Sequence, residues 1–507
     1  MDTDILIVGA GPTGLALACQ LIRYGIDFAI IDTKESTTPF SRAIGVQART
    51  LEIYEQIGLA DKLIALGKPA EKVRMIEGGV VRGEAALRDI GAGMSPYPFM
   101  LVVEQGQHEK LLYDHIRSHG RDVLWQTELL VFSQNDSGVT AQVRNAHGDA
   151  ETINAKYMVG CDGANSQVRH DLGLTFEGDT VGRLFYVADV RIDWEFSHDA
   201  LQICLAKHTL TAFFPMVGEN RYRIVGTFPE GHEAVESEIL FDEIERQLEI
   251  DTEMKLEISK VNWFSVYKVH SRAVNKFSEG RCFVAGDAAH IHTPAGGQGM
   301  NTGIQDGYNL AWKLALACNG AASPKLLDTY NEERLPNAQN LLKTTDRFFE
   351  FGSSDDWFIS YVRTHIFPHI LGVALSLDVV KKAIFPLVSQ IGINYRKSSL
   401  SRNRANLAVK AGDRMPYFRV GHSVFDILHK PKFHLIAFGG DGAGNVDDRF
   451  KGIVDTHTLP LTDEIIEMFD TERPFLLLLR PDNYIGLVSN SDSRKDIVEY
   501  LENILSS

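Results

Sequence analysis

The sequence DILIVGAGPTG occupies residues 4–14 and decides the fold of the first part of the chain. A short apolar run predicts a buried parallel strand, and the glycine turn after it opens a helix from about Thr13 to Tyr24. A second apolar run at residues 28–32 ends in Asp32. Strand, helix and strand in this order form one βαβ unit, which predicts a Rossmann-like domain of the α/β class.

The glycines of this turn match the GxGxxG pattern of dinucleotide-binding domains. Gly9 permits the tight turn, Gly11 lets the backbone approach a diphosphate, and Gly14 lets the helix pack against the strand. The helix start favours the negative charge of that diphosphate, and Asp32 can accept hydrogen bonds from a ribose. The pattern by itself fits NAD as well as FAD. The predicted dinucleotide contacts are Gly9, Gly11, Pro12, Thr13, Gly14 and Asp32.

The composition is that of an ordinary globular protein and argues against two kinds of partner. The chain has 507 residues, of which 44% are hydrophobic and 23% are charged, and its net charge is −16. A general nucleic-acid or anionic-membrane binder would carry the opposite charge, so no nucleic-acid partner is expected. The five cysteines lie far apart without a CxxC pair, which argues against a disulfide framework or a zinc ribbon.

The sequence also predicts a cytoplasmic protein. Residues 1–8 lack the positively charged segment of a signal peptide. The apolar run at residues 370–377 is flanked by charged residues and is far shorter than a membrane span. We therefore expect no stable membrane insertion.

Two glycine-containing segments further along the chain narrow the choice of cofactor. Residues 159–169 read VGCDGANSQVR, and residues 281–303 read RCFVAGDAAHIHTPAGGQGMNTG. They resemble the DG and GD motifs of flavoprotein hydroxylases. Together with the N-terminal turn, they make residues 1–345 similar to the single-component (class A) FAD-dependent aromatic hydroxylases related to p-hydroxybenzoate hydroxylase. The resemblance implies FAD as the bound cofactor.

The second motif also suits a flavin on physical grounds. Val284 and Ala285 end a buried strand and bring Asp287 to the carboxyl edge of the sheet, where α/β proteins bind ligands. The resemblance implies that Asp287 holds the ribityl chain of FAD. The glycine run at residues 296–299 lets bare backbone approach a flat ring. The helix that starts near Met300 would favour the negative charge of the reduced flavin.

The resemblance assigns further single residues to the cofactor. Arg42 matches a flavin-contacting arginine, Gln105 a glutamine along the FAD, and Pro294 a proline beside flavin and substrate. The segment with Asp162 serves both FAD and NAD(P)H in the family, and Arg169 is expected to organise it through hydrogen bonds. Besides the glycine turn, the predicted FAD contacts are Arg42, Gln105, Asp162, Asp287, Pro294, Gly297, Gly299, Met300 and Asn301.

The resemblance implies an oxygenase reaction that consumes O2 and NADPH or NADH. Because the chain has no second dinucleotide fingerprint, the nicotinamide is expected to visit transiently. In the family, reduced FAD captures O2 as a C4a-hydroperoxide and passes one oxygen atom to a small aromatic, phenolic or polycyclic substrate. No catalytic side chain is predicted. No metal ligand is predicted either, since His290 and His292 are expected to be structural.

The substrate side is less specific in sequence. Alternating segments such as residues 184–190 predict an antiparallel sheet that is interleaved with the FAD-binding domain. By their place in the family pattern, several residues are candidates for substrate contacts, with ordinary sheet core as an equal alternative. These candidates are Gln202, Phe213, Phe214, Pro215 and Pro294.

The resemblance extends to the end of the chain. Residues 405–507 resemble the thioredoxin-like extension of phenol and polyketide hydroxylases through AGDRMP at 411–416 and LRPD at 479–482. The extension contains no cysteine, which excludes thiol redox chemistry there and predicts a role in packing or in a homodimer. Glu333 and Arg334 are expected to lock helices together.

The predicted organisation therefore has four parts. They are an FAD-binding domain (1–75, 104–180 and 271–345), a substrate-binding sheet domain (76–103 and 181–270), a helical segment or linker (346–404) and a thioredoxin-like domain (405–507).

Three readings of the function remain open from the sequence. The leading one is hydroxylation of an aromatic or polycyclic molecule. An oxygenase that inactivates a tetracycline- or rifamycin-type antibiotic would carry the same motifs. A flavin-binding scaffold without catalysis is disfavoured by the intact run from Asp287 to Asn301.

Overall fold

The computed structural model describes nearly the whole chain. The described residues are 1–39, 43–206, 209–229, 239–293, 297–323, 325–353, 377–440, 447–490 and 494–505.

The first sheet is mostly parallel and contains the predicted βαβ unit. Its strands, in sheet order, are β17 (Ser278–Glu279), β18 (Cys282–Val284), β11 (Ala150–Gly160), β1 (Asp2–Val8), β2 (Phe28–Asp32) and β8 (Leu124–Trp125), with the hairpin β9 (Glu128–Gln134) and β10 (Val139–Arg144) attached to β11. Neighbours from β18 to β8 all pair in parallel. Ile5, Leu6 and Ile7 of β1 are fully buried, as expected for a parallel strand covered on both faces.

Helices cover this sheet and fix the ends of its strands. They are α1 (Pro12–Tyr24), α2 (Ala48–Glu55), α3 (Ala60–Leu66), α4 (Gln105–Ser118), α5 (Gln167–Asp171), α7 (Gly299–Cys318) and α8 (Lys325–Ser353). α1 begins with Pro12, whose missing N–H group costs nothing at the first helical position. It ends at Gly25, in the left-handed conformation with φ 67°, as predicted from the sequence.

The second sheet is almost entirely antiparallel. Its strands, in sheet order, are β19 (His290–Ile291), β16 (Glu257–Val274), β12 (Phe176–Asp193), β15 (Arg221–Thr227), β14 (Leu210–Pro215), β13 (Ala200–Leu205), β5 (Lys72–Glu77) and β6 (Val80–Ala86). Helix α6 (Phe241–Thr252) packs on one face through Ile244 and Leu248. Because β5 starts at Lys72 and β12 at Phe176, this sheet takes residues from both sides of the boundaries expected near 76 and 181. The division into domains stays a prediction.

Three short strands form a small sheet of their own. The strands β3 (Gly45–Val46) and β4 (Lys68–Pro69) both pair with β7 (Leu101–Val102). Helix α9 (Asp378–Val388) packs against the second sheet through Val380 and Ile384.

The C-terminal region is a third, mixed sheet. Its strands, in sheet order, are β20 (Arg402–Asn403), β26 (Ile485–Asn490), β25 (Phe475–Leu479), β23 (Phe433–Phe438) and β24 (Val454–Leu459). Helices α10 (Asp463–Phe469) and α11 (Arg494–Ile504) accompany it, and the small hairpin β21 (Arg419–Val420) and β22 (His422–Ser423) precedes it. One face packs against the first part of the chain, because Trp312 of α7 and Leu326 of α8 belong to its core.

Buried charges also join α7, α8 and the third sheet. Glu333 accepts hydrogen bonds from Lys313 at 2.8 Å and from Arg480 at 3.0 Å, and all three side chains are fully buried. Arg480 also pairs with Asp482, which accepts a hydrogen bond from the indole of Trp312 at 3.1 Å. The two cations and two anions balance. The prediction that Glu333 locks helices together is confirmed.

The environment keeps this network ionised near neutral pH. Burial opposes ionisation, but Arg480 and Lys313 hold the pKa of Glu333 below its usual range. Burial lowers the pKa of Lys313 to about 8, with Glu333 opposing the shift.

Among the described residues, no helix combines the length and the apolar character that crossing a bilayer requires.

The substitution Glu333→Ala leaves Lys313 and Arg480 buried without their shared acceptor. We expect the free energy of unfolding to fall by about 3–5 kcal/mol, since removal of one partner strands the other charges. Urea denaturation of the FAD-loaded protein measures this loss. The control is Asp114→Ala, which breaks the exposed pair with Lys110 and should cost less than about 1 kcal/mol. Equal losses in both variants would contradict the prediction.

Candidate functional site

The three sequence motifs meet at one edge of the first sheet. They follow the carboxyl ends of β1, β11 and β18, which lie side by side in parallel. Backbone hydrogen bonds continue the pairing past the strand ends, from Cys161 N to Val8 O at 2.7 Å and from Ala285 N to Gly160 O at 2.9 Å. This edge is where open α/β sheets bind their ligands.

Two glycines of the N-terminal turn are required by close packing. Gly9 has φ +104°, and a Cβ on it would lie 2.3 Å from the carbonyl oxygen of Cys161. A Cβ on Gly14 would lie 2.0 Å from the carbonyl oxygen of Gly9. Gly11 differs, because a Cβ there would meet no described atom within 4 Å. The turn is therefore tight on the protein side and open on the side where a diphosphate is predicted.

Asp32 holds the glycine turn at the end of β2. Its Oδ2 accepts a hydrogen bond from Ala10 N at 2.6 Å, and its Oδ1 accepts one from Lys34 N at 2.8 Å. The ammonium of Lys34 lies 3.6 Å from the same carboxylate. Carboxylate oxygens can accept more than one hydrogen bond, so Asp32 can fix the turn and still contact a ribose. The ribose contact stays a prediction.

The carboxylate of Asp162 is engaged within its own loop. It accepts hydrogen bonds from Ser166 Oγ at 2.5 Å and from Val168 N at 3.1 Å. Burial raises the pKa of Asp162. The side chain therefore shapes the loop that starts α5, while its predicted contact with the cofactor stays a prediction.

Arg169 ties this loop to the GD segment. It donates to Ala164 O at 2.8 Å and to Ala288 O at 3.1 Å, and its guanidinium lies 4.0 Å from the ring centre of Phe176. The expectation that Arg169 organises the loop is confirmed.

The GD segment forms a single 3-10 turn, Gly286–Ala288. Asp306 of α7 holds this turn through hydrogen bonds. Asp306 accepts hydrogen bonds from Gly286 N at 2.9 Å, His290 Nε2 at 2.7 Å and Arg334 Nε at 2.6 Å. Burial opposes its ionisation, but Arg334 and His290 keep the pKa of Asp306 low. Asp287 itself is exposed between buried neighbours. The turn thus presents Asp287 at the ligand-binding edge.

Asn301 joins the start of α7 to the strand β3. Its side-chain oxygen accepts from Gln47 N at 2.9 Å and Thr50 Oγ1 at 2.8 Å. Its side-chain nitrogen donates to Gly45 O and Gly297 O, both at 2.9 Å. Asn301 therefore fixes two glycine backbones that face each other, the second of which has φ +60°.

The remaining predicted contacts of this helix lie in its first turn. Gly299 begins α7, and Met300 is half-buried. Within the described residues, the buried atoms His292 Nε2 and Thr293 Oγ1 have no hydrogen-bond partner. His292 Nε2 lies 3.0 Å from where a Cβ of Gly299 would be, and burial lowers the pKa of His292 to about 4. Neutral polar atoms without a partner, next to the start of α7, can form hydrogen bonds with the polar edge of a ligand.

These features together fit FAD. The open face of Gly11 at the start of α1 suits a diphosphate, and the exposed Asp287 suits a polyol. The facing glycines 45 and 297, with the unsatisfied atoms of His292 and Thr293, suit the edge of a flat heterocycle.

Gln105 and Glu109 of α4 hold the backbone at Ala43 and Thr38, before β3. Gln105 donates to Glu109 at 2.8 Å and accepts from Ala43 N at 3.2 Å, while Glu109 accepts from Thr38 N at 2.9 Å. Arg42 and Pro294, both predicted to contact the flavin, lie outside the described residues.

The second sheet contributes a buried ion pair that the sequence did not reveal. Arg223 makes two hydrogen bonds of 2.6 Å to Asp189, which also accepts from the indole of Trp263 at 2.8 Å. Arg223 donates further to Ala43 O at 3.0 Å. It thereby binds the second sheet to the segment held by Gln105. The available signal was the arginine at 223 within the buried strand that contains Tyr222 and Ile224.

The predicted substrate residues lie on two faces of this sheet. Phe213 is fully buried in the core under α6, and Gln202 pairs with it on the same face. Phe214 points to the opposite face, where it packs near Met100 and Met216. Pro215 is buried at the end of β14. Their roles toward substrate stay predictions.

A family model described as "FAD binding domain" matches residues 2–345. The chain belongs to this FAD-binding family. The match spans the glycine turn, the loop with Asp162, the turn with Asp287 and the start of α7.

Relatives extend the similarity of this FAD-binding protein over nearly its full length. A flavin-dependent monooxygenase of Mycobacteroides abscessus is 33% identical over 99% of the chain and 100% of the relative. The 6-methylpretetramide 4-monooxygenase of Streptomyces rimosus is 33% identical over 95% of the chain and 90% of the relative. The solved structure of the anhydrotetracycline hydroxylase OxyS from Streptomyces rimosus aligns over 100% of both chains with a TM-score of 0.78 and 26% identity.

The protein is thus an FAD-dependent monooxygenase of the aromatic-hydroxylase type, with NAD(P)H as the co-substrate typical of the family. The fold class predicted from its sequence is confirmed.

Two glycine substitutions separate cofactor binding from folding. Gly11→Ala places a methyl group in open space, so we expect normal folding and an FAD affinity lowered by about tenfold, the equivalent of one lost hydrogen bond. Gly14→Ala forces a clash with Gly9 and should cost about 1–3 kcal/mol of stability. Flavin fluorescence titration and urea denaturation of the apoprotein measure the two effects. The same stability loss in both variants would refute the assignment of Gly11 to the ligand side.

The substitution Asp287→Ala tests the GD turn. A charge-assisted hydrogen bond to a bound ligand contributes about 1.5–3 kcal/mol, so the FAD dissociation constant should rise roughly ten- to hundredfold. Equilibrium dialysis against FAD measures the change. Asp136→Ala, at an exposed turn between β9 and β10, is the matched control and should leave FAD affinity unchanged. An unaltered affinity in Asp287→Ala would remove its assigned role.

Proposed function

We propose that this monooxygenase hydroxylates a polycyclic or phenolic aromatic molecule. One observation carries the proposal: relatives named for 6-methylpretetramide and anhydrotetracycline match the chain over nearly all of its length, including the C-terminal sheet. Because this similarity covers both the FAD-binding part and the second sheet, it favours a substrate of related shape.

The face of the second sheet that bears Phe214, which we propose lies toward the flavin and call the flavin-side face, supports this substrate class. It is lined by apolar side chains of two strands together with two methionines, and α9 packs on part of it through Val380 and Ile384. Methionine side chains adapt to flat, irregular ligands, and an apolar face with few polar groups is typical of sites for small aromatic molecules. The side chains concerned are Leu201, Ile203, Leu210, Ala212, Phe214, Met100 and Met216.

The chain's own residues position the reactants. When bound, FAD supplies the activation of O2 and the transfer of one oxygen atom. Arg223 holds the substrate sheet against the segment at Ala43, and Asp189 pairs with its charge where both side chains are buried. Asn301 and Asp306 keep the start of α7 and the turn of Asp287 in fixed relation. Exclusion of water between these elements would protect a reactive oxygen species.

The remaining partners follow from this reaction. O2 and either NADPH or NADH are the proposed co-substrates. The cytoplasm, where nicotinamide cofactors are abundant, is the proposed location. A homodimer stays a prediction that the mass of the protein in solution can test.

The reaction is tested by supplying phenols, hydroxybenzoates, aromatic polyketides, tetracyclines and rifamycins to the FAD-loaded protein. We expect at least one class to accelerate the oxidation of NADH or NADPH. Its product should gain one oxygen atom that derives from isotopically heavy O2, as read by mass spectrometry. Peroxide as the only oxygen product across the whole panel would contradict the proposal.

Phe213 and Phe214 are neighbours on β14 but point to opposite faces of the second sheet. Their alanine variants can therefore be compared with whichever substrate the panel identifies. Phe214→Ala removes a side chain from the flavin-side face and should raise KM or the fraction of peroxide formed. Phe213→Ala removes one from the core under α6 and should cost about 3–5 kcal/mol of stability with little change in KM. A change of KM in Phe213→Ala but not in Phe214→Ala would place the substrate on the face under α6 and contradict the proposal.

A further inference from the structure

Three side chains that commonly bind transition metals meet at the outer edge of the C-terminal sheet, outside the flavin site. His434 lies on β23, and Asp455 and His457 lie on the edge strand β24. The parallel register places Asp455 opposite His434 and His457 opposite Ile436. Since side chains alternate along a strand, the three residues share one face of the sheet. One ligand atom from each lies within 4.8 Å of the other two.

His434 is held in the state that binds metals. Its Nε2 lies 3.1 Å from the carbonyl oxygen of Lys430. A carbonyl oxygen can only accept, so Nε2 carries the proton and Nδ1 presents a lone pair. The side chain of His434 is fully buried, which favours the neutral ring. A backbone carbonyl that orients the second ring nitrogen is the usual support of a metal-bound histidine.

The spacing of the ligand atoms suits a small divalent ion. His434 Nδ1 and His457 Nε2 are 3.1 Å apart. Two imidazole nitrogens that bind one ion at about 2.0–2.1 Å lie at roughly this separation. A carboxylate oxygen of Asp455 lies 3.9 Å from His457 Nε2. The side chains of His457 and Asp455 are 17% and 23% exposed, so water can occupy the remaining coordination positions.

Two cations oppose binding and must be weighed. Lys430 pairs with Asp455 at 2.8 Å, but its side chain is 63% exposed and can move into solvent when an ion takes its place. The charge of Arg23 also acts on His434, more weakly than the charges of His457 and Asp455. Without an ion, the same atoms form a histidine–histidine hydrogen bond beside a surface ion pair.

We propose that His434, Asp455 and His457 bind a divalent ion of the zinc type. Two imidazole nitrogens and one carboxylate favour Zn²⁺, Co²⁺ or Ni²⁺ over Mg²⁺ or Ca²⁺, which prefer all-oxygen sites. The ion links β23 to the edge strand β24. An ion that binds only the folded chain stabilises it in proportion to the logarithm of its concentration above the dissociation constant.

The test uses the full-length, FAD-loaded protein after treatment with a chelator. Calorimetric titration with ZnCl2 should show one ion per chain. CoCl2 should give ligand-field absorption at wavelengths longer than the flavin bands. His457→Ala and Asp455→Asn should each weaken binding at least about tenfold. Lys430→Ala keeps the backbone carbonyl but removes the competing ammonium, so it should tighten binding. Zn²⁺ should raise the thermal midpoint of the wild type but not of His457→Ala.

Two control variants locate the ion. Asp426→Asn alters a second cluster formed with Glu55 and His429, and His119→Ala alters the exposed histidine pair with His115. Both should bind Zn²⁺ like the wild type, and retained FAD in every variant confirms folding. The proposal is overturned by the absence of saturable binding, by unchanged binding in His457→Ala, or by loss of binding in either control.

Discussion

The flavin site depends on how closely three segments pack where β1 ends. Thr13 at the start of α1 lies against both the GD turn and α7. A Cβ on Gly286 or on Gly303 would come within 2.4 Å of Thr13 Oγ1, so neither position can carry a side chain in this arrangement. A side chain on Gly14 would likewise clash with the carbonyl oxygen of Gly9. Gly11 faces open space. The three segments are thus packed closely against one another, while the backbone at Gly11 stays open.

Two adjacent residues of α8 form buried ion pairs with different parts of the structure. Glu333 and Arg334 are adjacent, yet Glu333 faces Lys313 and Arg480, whereas Arg334 faces Asp306. The first set reaches the C-terminal sheet, and the second reaches the turn that presents Asp287. Removing charges of this kind from water is costly, and each is compensated by a directed partner. Helix α8 therefore connects the turn that presents Asp287 to the third sheet.

The sequence predicted those features that follow from local spacing. The βαβ unit, the end of α1 at Gly25 and the meeting of the three glycine motifs are dictated by strand–turn–helix patterns and parallel pairing. The pairing of Arg223 with Asp189 and of His434 with His457 depends on which strands become neighbours, and no local pattern encodes that. The faces of Phe213 and Phe214 follow from alternation only once the register is known. The sequence motif containing Asp162 likewise did not predict its hydrogen bonds with Ser166 and Val168.

The C-terminal sheet packs against α7 and α2. Trp312 of α7 lies in its core and bonds to Asp482, and Arg49 of α2 donates to the backbone of Asp482 at 3.1 Å. The same two helices meet at Asn301, whose side chain bonds the start of α2 at Thr50. The sheet therefore supports α7 and α2, the two helices that Asn301 joins. An ion at its outer edge would stiffen this support without touching the flavin.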